Sequence, residues 1–284
     1  MRFTKAHGTG NDFVVVGDLE DGWQPNEAFV AAVCDRHFGV GADGLIRIGA
    51  PRDGGIVFMD YWNADGSTAE MCGNGVRVVA KWLADRDLVA SESVAIATRG
   101  GVKTVRTEMG EDGKVSHVTV DMGQPALEPS QVPTNAPDAN KIELTYGDTV
   151  MTAVGVSMGN PHAVIFVDDL DAIDFERLGP AFESDPTFPA KANIEFVQQL
   201  GEDHLRMRVW ERGVGETLAC GTGACAVGVA AHLRGLTSNQ TLVSLRGGDL
   251  EIEWTKDSGT VLMRGPAVEV FEGELTESLK ALLD

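Results

Sequence analysis

The chain has 284 residues, 43% of them hydrophobic, which suffices for one large domain or two of ordinary size and excludes wholesale disorder. Its 43 acidic residues outnumber 23 basic ones, and the formal charge of −20 makes phosphate backbones and anionic lipid surfaces poor partners. Met1–Thr9 lacks the basic start and apolar core of a secretion signal, and no segment approaches the ~18 uninterrupted apolar residues of a membrane span, so a cytoplasmic protein is expected.

In chain order, the apolar run Phe13–Val16 has the length of a strand, and Glu27–Arg36 reads as a helix carrying Cys34. Ile56–Trp62 reads as a strand, and Cys72-Gly-Asn-Gly75 leads into a helical stretch, Val76–Asp85, apolar at Val76, Val79, Ala80 and Leu83. A strand over Val115–Met122 is followed by Gly123–Ala139, whose Pro125, Pro129, Pro133 and Pro137 bar a continuous helix or central strand. That segment reads as an inter-domain connection. Beyond it come a strand over Leu205–Trp210, Cys220-Gly-Thr-Gly223, a helix over Ala224–Arg234 and a strand over Thr260–Arg264.

These features repeat. Gly10-Asn11 before Phe13–Val16 matches Gly159-Asn160 before Ala163–Val167, and Ala42-Asp43 before Leu45–Ile48 matches Ala192-Asn193 before Ile194–Val197. Met59 and Trp62 match Met207 and Trp210, Cys72-Gly-Asn-Gly75 matches Cys220-Gly-Thr-Gly223, and Arg99-Gly-Gly101 matches Arg246-Gly-Gly248. All five matches occur in the same order at an offset of roughly 150 residues, the signature of two homologous halves. Strands around one prominent helix, twice over, predict an α+β architecture.

There are four cysteines, Cys34, Cys72, Cys220 and Cys225. No Cys-x-x-C and no Cys/His group with zinc-finger spacing occurs, so structural zinc is not expected and reduced thiols are. A cysteine inside a protein is ordinarily a small core residue, and Cys34 and Cys225 fit that role. Cys72 and Cys220 differ, because each stands at the repeat position, flanked by glycines and followed by a helix. A helix N-terminus favours negative charge and lowers the pKa of a thiol placed there.

One thiol per half, brought to opposite sides of one cleft, suits the inversion of a stereocentre. One group takes the proton from one face, and the other returns a proton to the opposite face. First-turn N–H groups of the two helices would hold the substrate carboxylate and stabilise the carbanion, and no pyridoxal site is evident. Two thiols so close could also form a reversible, inactivating disulfide, which activity with and without reductant would reveal. A structural disulfide would require an oxidising compartment that nothing else in the sequence supports.

The stretches His7-Gly-Thr-Gly-Asn-Asp-Phe13, Asn63-Ala-Asp-Gly-Ser-Thr-Ala-Glu-Met-Cys-Gly-Asn-Gly75, Gly159-Asn-Pro-His162 and Trp210-Glu-Arg-Gly-Val-Gly-Glu-Thr-Leu-Ala-Cys-Gly-Thr-Gly223 closely resemble the diaminopimelate epimerase family. The resemblance implies a cofactor-independent isomerase interconverting LL- and meso-diaminopimelate on the route to lysine and peptidoglycan. It also implies two pseudo-symmetric domains, each a β-barrel-like sheet wrapped around a central helix, with the active site in the cleft between them. Residues 1–123, completed by 266–284, would form one half and 124–265 the other. Cys72 and Cys220 would be the acid–base pair. His162 and Glu211 would influence thiol ionisation. Asn11, Asn63, Asn160, Asn193, Glu211 and Arg212 would hold the two amino-acid ends of the substrate, and Gly73-Asn74 and Gly221-Thr222 would supply backbone N–H groups. A homodimer would be unsurprising on this resemblance, and no metal is implied.

Read without the family, Arg212 is the natural bidentate partner of a distal carboxylate and Glu211 of a distal ammonium. Asn11, Asn63 and Asn193 would more often be turn residues, and His162 a structural hydrogen-bonding histidine. One departure stands out: many relatives carry Gln after Gly-Ala-Asp, where this chain has Gly44, and the ligand contact is then lost or made by water or a neighbour. Proline racemases and hydroxyproline epimerases share the fold and the paired cysteines, but usually read Cys-Gly-His-Gly at the first thiol, where this chain has Asn74. A non-catalytic, redox-sensing relative is the alternative from another class.

Overall fold

The structure, a computed structural model, describes residues 1–283; Asp284, the last residue of the C-terminal segment assigned above to the first half, lies outside them. The chain begins β1 (Arg2–Gly8), β2 (Asn11–Asp18), α1 (Glu27–Cys34), β3 (Gly44–Gly49), β4 (Val57–Asn63) and α2 (Gly73–Ala84). It continues through β5 (Ser93–Thr98), β6 (Gly101–Met109), β7 (Val115–Asp121), β8 (Ile142–Tyr146), β9 (Thr149–Ser157) and β10 (Pro161–Val167). Next come α3 (Phe175–Glu183), β11 (Asn193–Gly201), β12 (His204–Glu211), the two-residue β13 (Gly215–Glu216) and α4 (Gly221–Leu233). Strands β14 (Gln240–Leu245), β15 (Gly248–Trp254), β16 (Val261–Pro266) and β17 (Val268–Glu274), then the short α5 (Glu277–Lys280), complete it.

Two compact units result, Met1–Val120 with the segment returning from Arg264, and Asp121–Met263. In the first, strands pair in the order β17, β1, β2, β3, β4, β5, β6, β7. The pairs β2–β3 and β4–β5 are parallel. A parallel pair cannot be closed by a hairpin and needs a crossover, and α1 and α2 serve as the crossovers. Helix α2 packs against β1, β2, β4, β5, β6 and β17, and nearly all of its residues are buried. The strands enclose it. Buried on both faces, β2 and β3 carry continuous apolar runs, Phe13–Val16 and Leu45-Ile46, in place of alternation.

The second unit repeats the plan. Its order is β8, β9, β10, β11, β12, β14, β15, with β10–β11 and β12–β14 parallel and crossed over by α3 and α4. Helix α4 packs against β9, β10, β11, β14 and β15, and is buried from Gly221 to Ala231 apart from Thr222. Its small residues let the strands approach: a Cβ on Gly228 would lie 2.7 Å from Ile252 Cγ2. The α+β architecture of two matched units, each wrapped around one helix, is the one the repeat predicts.

The proline segment 124–140 forms no helix or strand longer than a single bridge, yet it belongs to the second unit, where Val132 and Ala139 are fully buried in the core. Helix α3, which the sequence pattern did not single out, buries Phe175, Leu178 and Phe182 there. Among the described residues no helix is long and apolar enough to cross a membrane.

Register refines the repeat. Phe13 pairs with Gly44 in the first unit and His162 with Asn193 in the second. The counterpart of Asn193 is therefore Gly44, one residue beyond the Asp43 suggested by the sequence match.

Candidate active site

Each motif cysteine is the N-cap of the enclosed helix in its own unit. Cys72 has φ −140° and ψ 113°, Cys220 φ −121° and ψ 108°, and the helices begin at Gly73 and Gly221. Those starts lie three residues before the predicted ones. A Gly-x-Gly first turn has no apolar spacing and low propensity, so periodicity misses it. The consequence is chemical, because the N–H groups of Gly73, Asn74, Gly221 and Thr222 lie in first turns, where no intrahelical acceptor exists. Neither cysteine caps its helix with its own side chain.

At Cys72, which is partly exposed, Sγ lies 3.5 Å from Asn11 Oδ1, and Asn74 Nδ2 donates to the same oxygen at 3.2 Å. Asn11 is turned that way by Asp43, whose Oδ2 accepts from Asn11 Nδ2 at 2.9 Å. Arg36 clamps both Asp43 (2.8 Å) and Asp12 (2.7 Å), and Lys5 also pairs with Asp12. Burial pushes the Asp12 carboxyl up, but Arg36 and Lys5 outweigh it and hold it at about 2. Asn74 is buried, with its Oδ1 left without a hydrogen-bond partner, an acceptor that a ligand N–H would satisfy. Asn63 ends β4 opposite Gly44 and donates to Ser67 Oγ at 3.0 Å.

Gly44 has a packing reason. A Cβ there would lie 2.5 Å from both Trp62 O and Tyr61 Cε2, so the Tyr61 ring and the β4 backbone fill the space a glutamine would enter. Gly44→Gln is expected to destabilise by about 1–3 kcal/mol through overpacking, read as a lower denaturation midpoint, instead of restoring a ligand contact.

Cys220 is buried, and its Sγ lies 3.5 Å from Thr222 Oγ1. Asn160 Nδ2 donates to that hydroxyl (3.3 Å) and Asn160 Oδ1 meets His162 Nε2 (3.0 Å). His162 Nδ1 meets Glu195 Oε1 at 2.7 Å, and both side chains are completely buried. Glu211 accepts from the Thr217 hydroxyl at 2.5 Å and lies against Cys220. Burial pushes the Glu211 carboxyl up, against the opposing effects of Thr217, Cys220 and His162.

The first-turn backbone does act to lower the Cys220 pKa, but the net direction is upward. Burial, then the Glu211 and Glu195 carboxylates, push the thiol well up, and the Thr222 hydroxyl and the nearby Gly223 backbone, which act in the opposite direction, only partly offset them. A dry pocket penalises the thiolate, and two nearby carboxylates repel it, together outweighing the half-charge of a helix end. Burial and the two carboxylates thus favour the protonated form of Cys220.

Asn193 is buried, donating to Pro161 O (3.0 Å) while its Oδ1 accepts the Arg212 N–H (2.9 Å). Its amide fixes the backbone that presents Arg212, whose exposed guanidinium donates to Ala190 O at 3.1 Å. Glu211 and Arg212, adjacent in sequence, part company: Glu211 ends β12 with its carboxylate against the thiol, and Arg212 is exposed on the turn that follows. Glu195 and Thr217 are additions to the residues read from the sequence. A lone glutamate within the apolar run Ile194–Val197 was the available signal.

Cys34 and Cys225 are core, and none of the four cysteines is in a disulfide. Burial pushes the Cys34 thiol up to about 12. Alkylation of native protein at pH 8 is expected to spare Cys34 and Cys225 and to label them only after denaturation, by peptide mass mapping. A cavity of about 520 Å³ on the second unit lies away from Cys220, and its arginines, Arg206, Arg208 and Arg246, are paired with Asp171 and Glu216.

The family model described as diaminopimelate epimerase matches residues 3–128 and 154–270. A diaminopimelate epimerase of Pelotomaculum thermopropionicum is 48% identical over 278 residues, covering 96% of this chain and 98% of the relative. One of Leptospira biflexa is 47% identical over 280 residues, covering 97% and 99%. Among solved structures, a hydroxyproline epimerase of Agrobacterium vitis (TM-score 0.71, 14% identity, 97% of this chain and 90% of that one) shares the fold. So does a PhzF-family phenazine biosynthesis protein of Bacillus anthracis (TM-score 0.68, 18% identity, 97% and 99%). Matched over nearly its whole length by relatives of one kind, the chain belongs to the diaminopimelate epimerase family.

Proposed function

We propose that this isomerase interconverts LL- and meso-diaminopimelate through Cys72 and Cys220, one thiol from each unit. The observation that carries the mechanism is the equivalence of the two thiols, each the N-cap of the enclosed helix in its unit, ahead of a Gly-x-Gly first turn. The thiolate of one cysteine takes the α-proton, forming an S–H bond. The electron pair left on carbon is delocalised into the substrate carboxylate, whose developing charge the first-turn N–H groups of Gly73, Asn74, Gly221 and Thr222 stabilise. The other cysteine delivers its proton to the opposite face and becomes the thiolate, so the roles are exchanged for the reverse reaction.

In this reading Arg212 takes the distal carboxylate through two parallel N–H bonds, presented by Asn193. Asn11, Asn63, Asn74 and Asn160 receive the polar groups of the amino-acid ends, while His162 and Glu211 govern the charge around Cys220. Because the carbanion is stabilised by fixed dipoles, the chemistry requires no pyridoxal or metal. The product would serve lysine and peptidoglycan synthesis in the cytoplasm. A homodimer is part of the proposal, supported by exposed Val268, Val270 and Phe271 on β17, which pairs with β1. Turnover of LL-diaminopimelate and of L-proline, assayed in parallel with reduced protein, tests the substrate. Inversion of diaminopimelate alone is expected, and inversion of proline alone would refute the assignment.

A further inference from the structure

The two thiols occupy equivalent positions, but what lies behind them differs. A Cβ on Gly75 would meet Ile46 Cδ1 at 3.0 Å, whereas a Cβ on Gly223 would meet Glu195 Oε1 at 2.8 Å and Cys220 Sγ at 3.3 Å. Ile46 and Glu195 are counterparts, each two residues beyond the matched pair Gly44 and Asn193, and Phe13 is the counterpart of His162. Where the first unit has a phenylalanine and an isoleucine, the second has a fully buried histidine–carboxylate pair. A buried charge is expensive and is kept where it does something. Glu195 Oε1 engages His162, while Oε2 is buried without a partner, so the carboxylate is only half compensated. Its strand neighbours, Val164 and Val209, are apolar and add nothing.

We propose that Glu195 is a positioning residue that breaks the symmetry of the two thiols. Its buried charge keeps Cys220 protonated in the ligand-free enzyme, so that Cys220 starts as the acid and Cys72 as the base. It also orients His162 so that Nε2 meets Asn160, and through Asn160 the Thr222 hydroxyl beside Cys220 Sγ. The other groups facing this cluster are Glu211 from β12 and Cys220 itself from the start of α4. Of the remaining elements around α4, β9 and β14 contribute no ionisable group; on β15 Asp249 and Glu251 are exposed, and Glu253 is half-buried opposite Gln240. The direction in which burial and both carboxylates push Cys220 agrees with this assignment. The inference rests on the reading of Cys72 and Cys220 as the acid–base pair.

The test follows the rate of alkylation of each thiol by iodoacetamide as a function of pH in ligand-free protein, resolved by peptide mass mapping. The midpoint of each profile reports ionisation, whatever the accessibility sets as the plateau. In the unmodified protein Cys72 is expected to titrate at lower pH than Cys220; coincident or reversed midpoints would overturn the proposal, with no variant needed. In Glu195→Gln, which retains the oxygen facing His162, the Cys220 midpoint is expected to fall by about one pH unit, tenfold in thiolate at a fixed lower pH. The Cys72 midpoint is expected to stay, and Glu195→Asp, which retains the charge, to keep the original Cys220 midpoint. An unmoved Cys220 midpoint in folded Glu195→Gln, an equal shift of both thiols, or an equal shift in Glu195→Asp would overturn the proposal. Alkylation needs no substrate, so failure to turn over diaminopimelate would sink the functional reading while leaving these profiles to judge Glu195.

Discussion

Cys72→Ser and Cys220→Ser are each expected to lower the epimerisation rate by roughly 10²–10⁴-fold, the range for losing a positioned acid or base. A serine hydroxyl fits either N-cap and is itself a favoured capping residue, so the fold should survive. What changes is acidity, because an alkoxide is far less accessible at neutral pH than a thiolate. In the proposed mechanism neither cysteine is expected to stand in for the other, because inversion needs a separate group on each face of the carbon. The double variant should be little worse than either single one, as expected for groups that act as a unit. Steady-state rates in both directions, with circular dichroism as the fold control, supply the check. A single variant retaining more than a tenth of the rate would remove that cysteine from the mechanism.

Arg212→Leu is expected to cost about 2–5 kcal/mol in kcat/KM, thirtyfold or more, through the loss of a charge-assisted pair with the distal carboxylate. The guanidinium is exposed and donates to Ala190 O, so its removal leaves no buried charge behind and should scarcely affect stability. Arg212→Lys should recover only part of the loss, because a point charge cannot reproduce two parallel N–H bonds. Asn193→Ala should resemble a mild form of Arg212→Leu while also destabilising, since its amide ties Pro161 to the Arg212 N–H. Equal kcat/KM for Arg212→Leu and the unmodified protein would place the distal carboxylate elsewhere.

Much of this was legible from spacing alone. Five matches at one offset disclosed two units, and the glycines after Cys72 and Cys220 marked those thiols as exceptional. Other features required the fold. The helices start at Gly73 and Gly221 because tertiary enclosure overrides the low propensity of a Gly-x-Gly turn. Helix α3 escaped notice because Pro180 and Gly179 interrupt its pattern, yet Gly179 is where the Trp210 ring packs, 2.8 Å from the position of a Cβ. The ionisation of Cys220 runs against what a helix end alone predicts, since it depends on burial and on Glu211 and Glu195, which approach the thiol only when β11 and β12 pair beside α4. A glutamate in a strand ordinarily faces water, and the one local sign that Glu195 is buried is its place within the apolar run Ile194–Val197.

The pH dependence follows from the same arrangement. The proposed mechanism needs one thiolate and one thiol, so steady-state rates measured against pH are expected to trace a bell. Its alkaline limb is expected to report loss of the Cys220 proton and, with that thiol raised, to lie above the ordinary cysteine range.

The most direct test of the two-thiol mechanism is epimerisation of LL-diaminopimelate in deuterium oxide, followed by mass spectrometry during the first few per cent of reaction. The proton removed stays on one thiol while the proton delivered comes from the other, which has equilibrated with solvent. Newly formed meso product should therefore carry one deuterium at the inverted carbon, while residual LL substrate carries almost none. Product that retains protium would mean that a single group carries the proton from one face to the other, and would contradict the account.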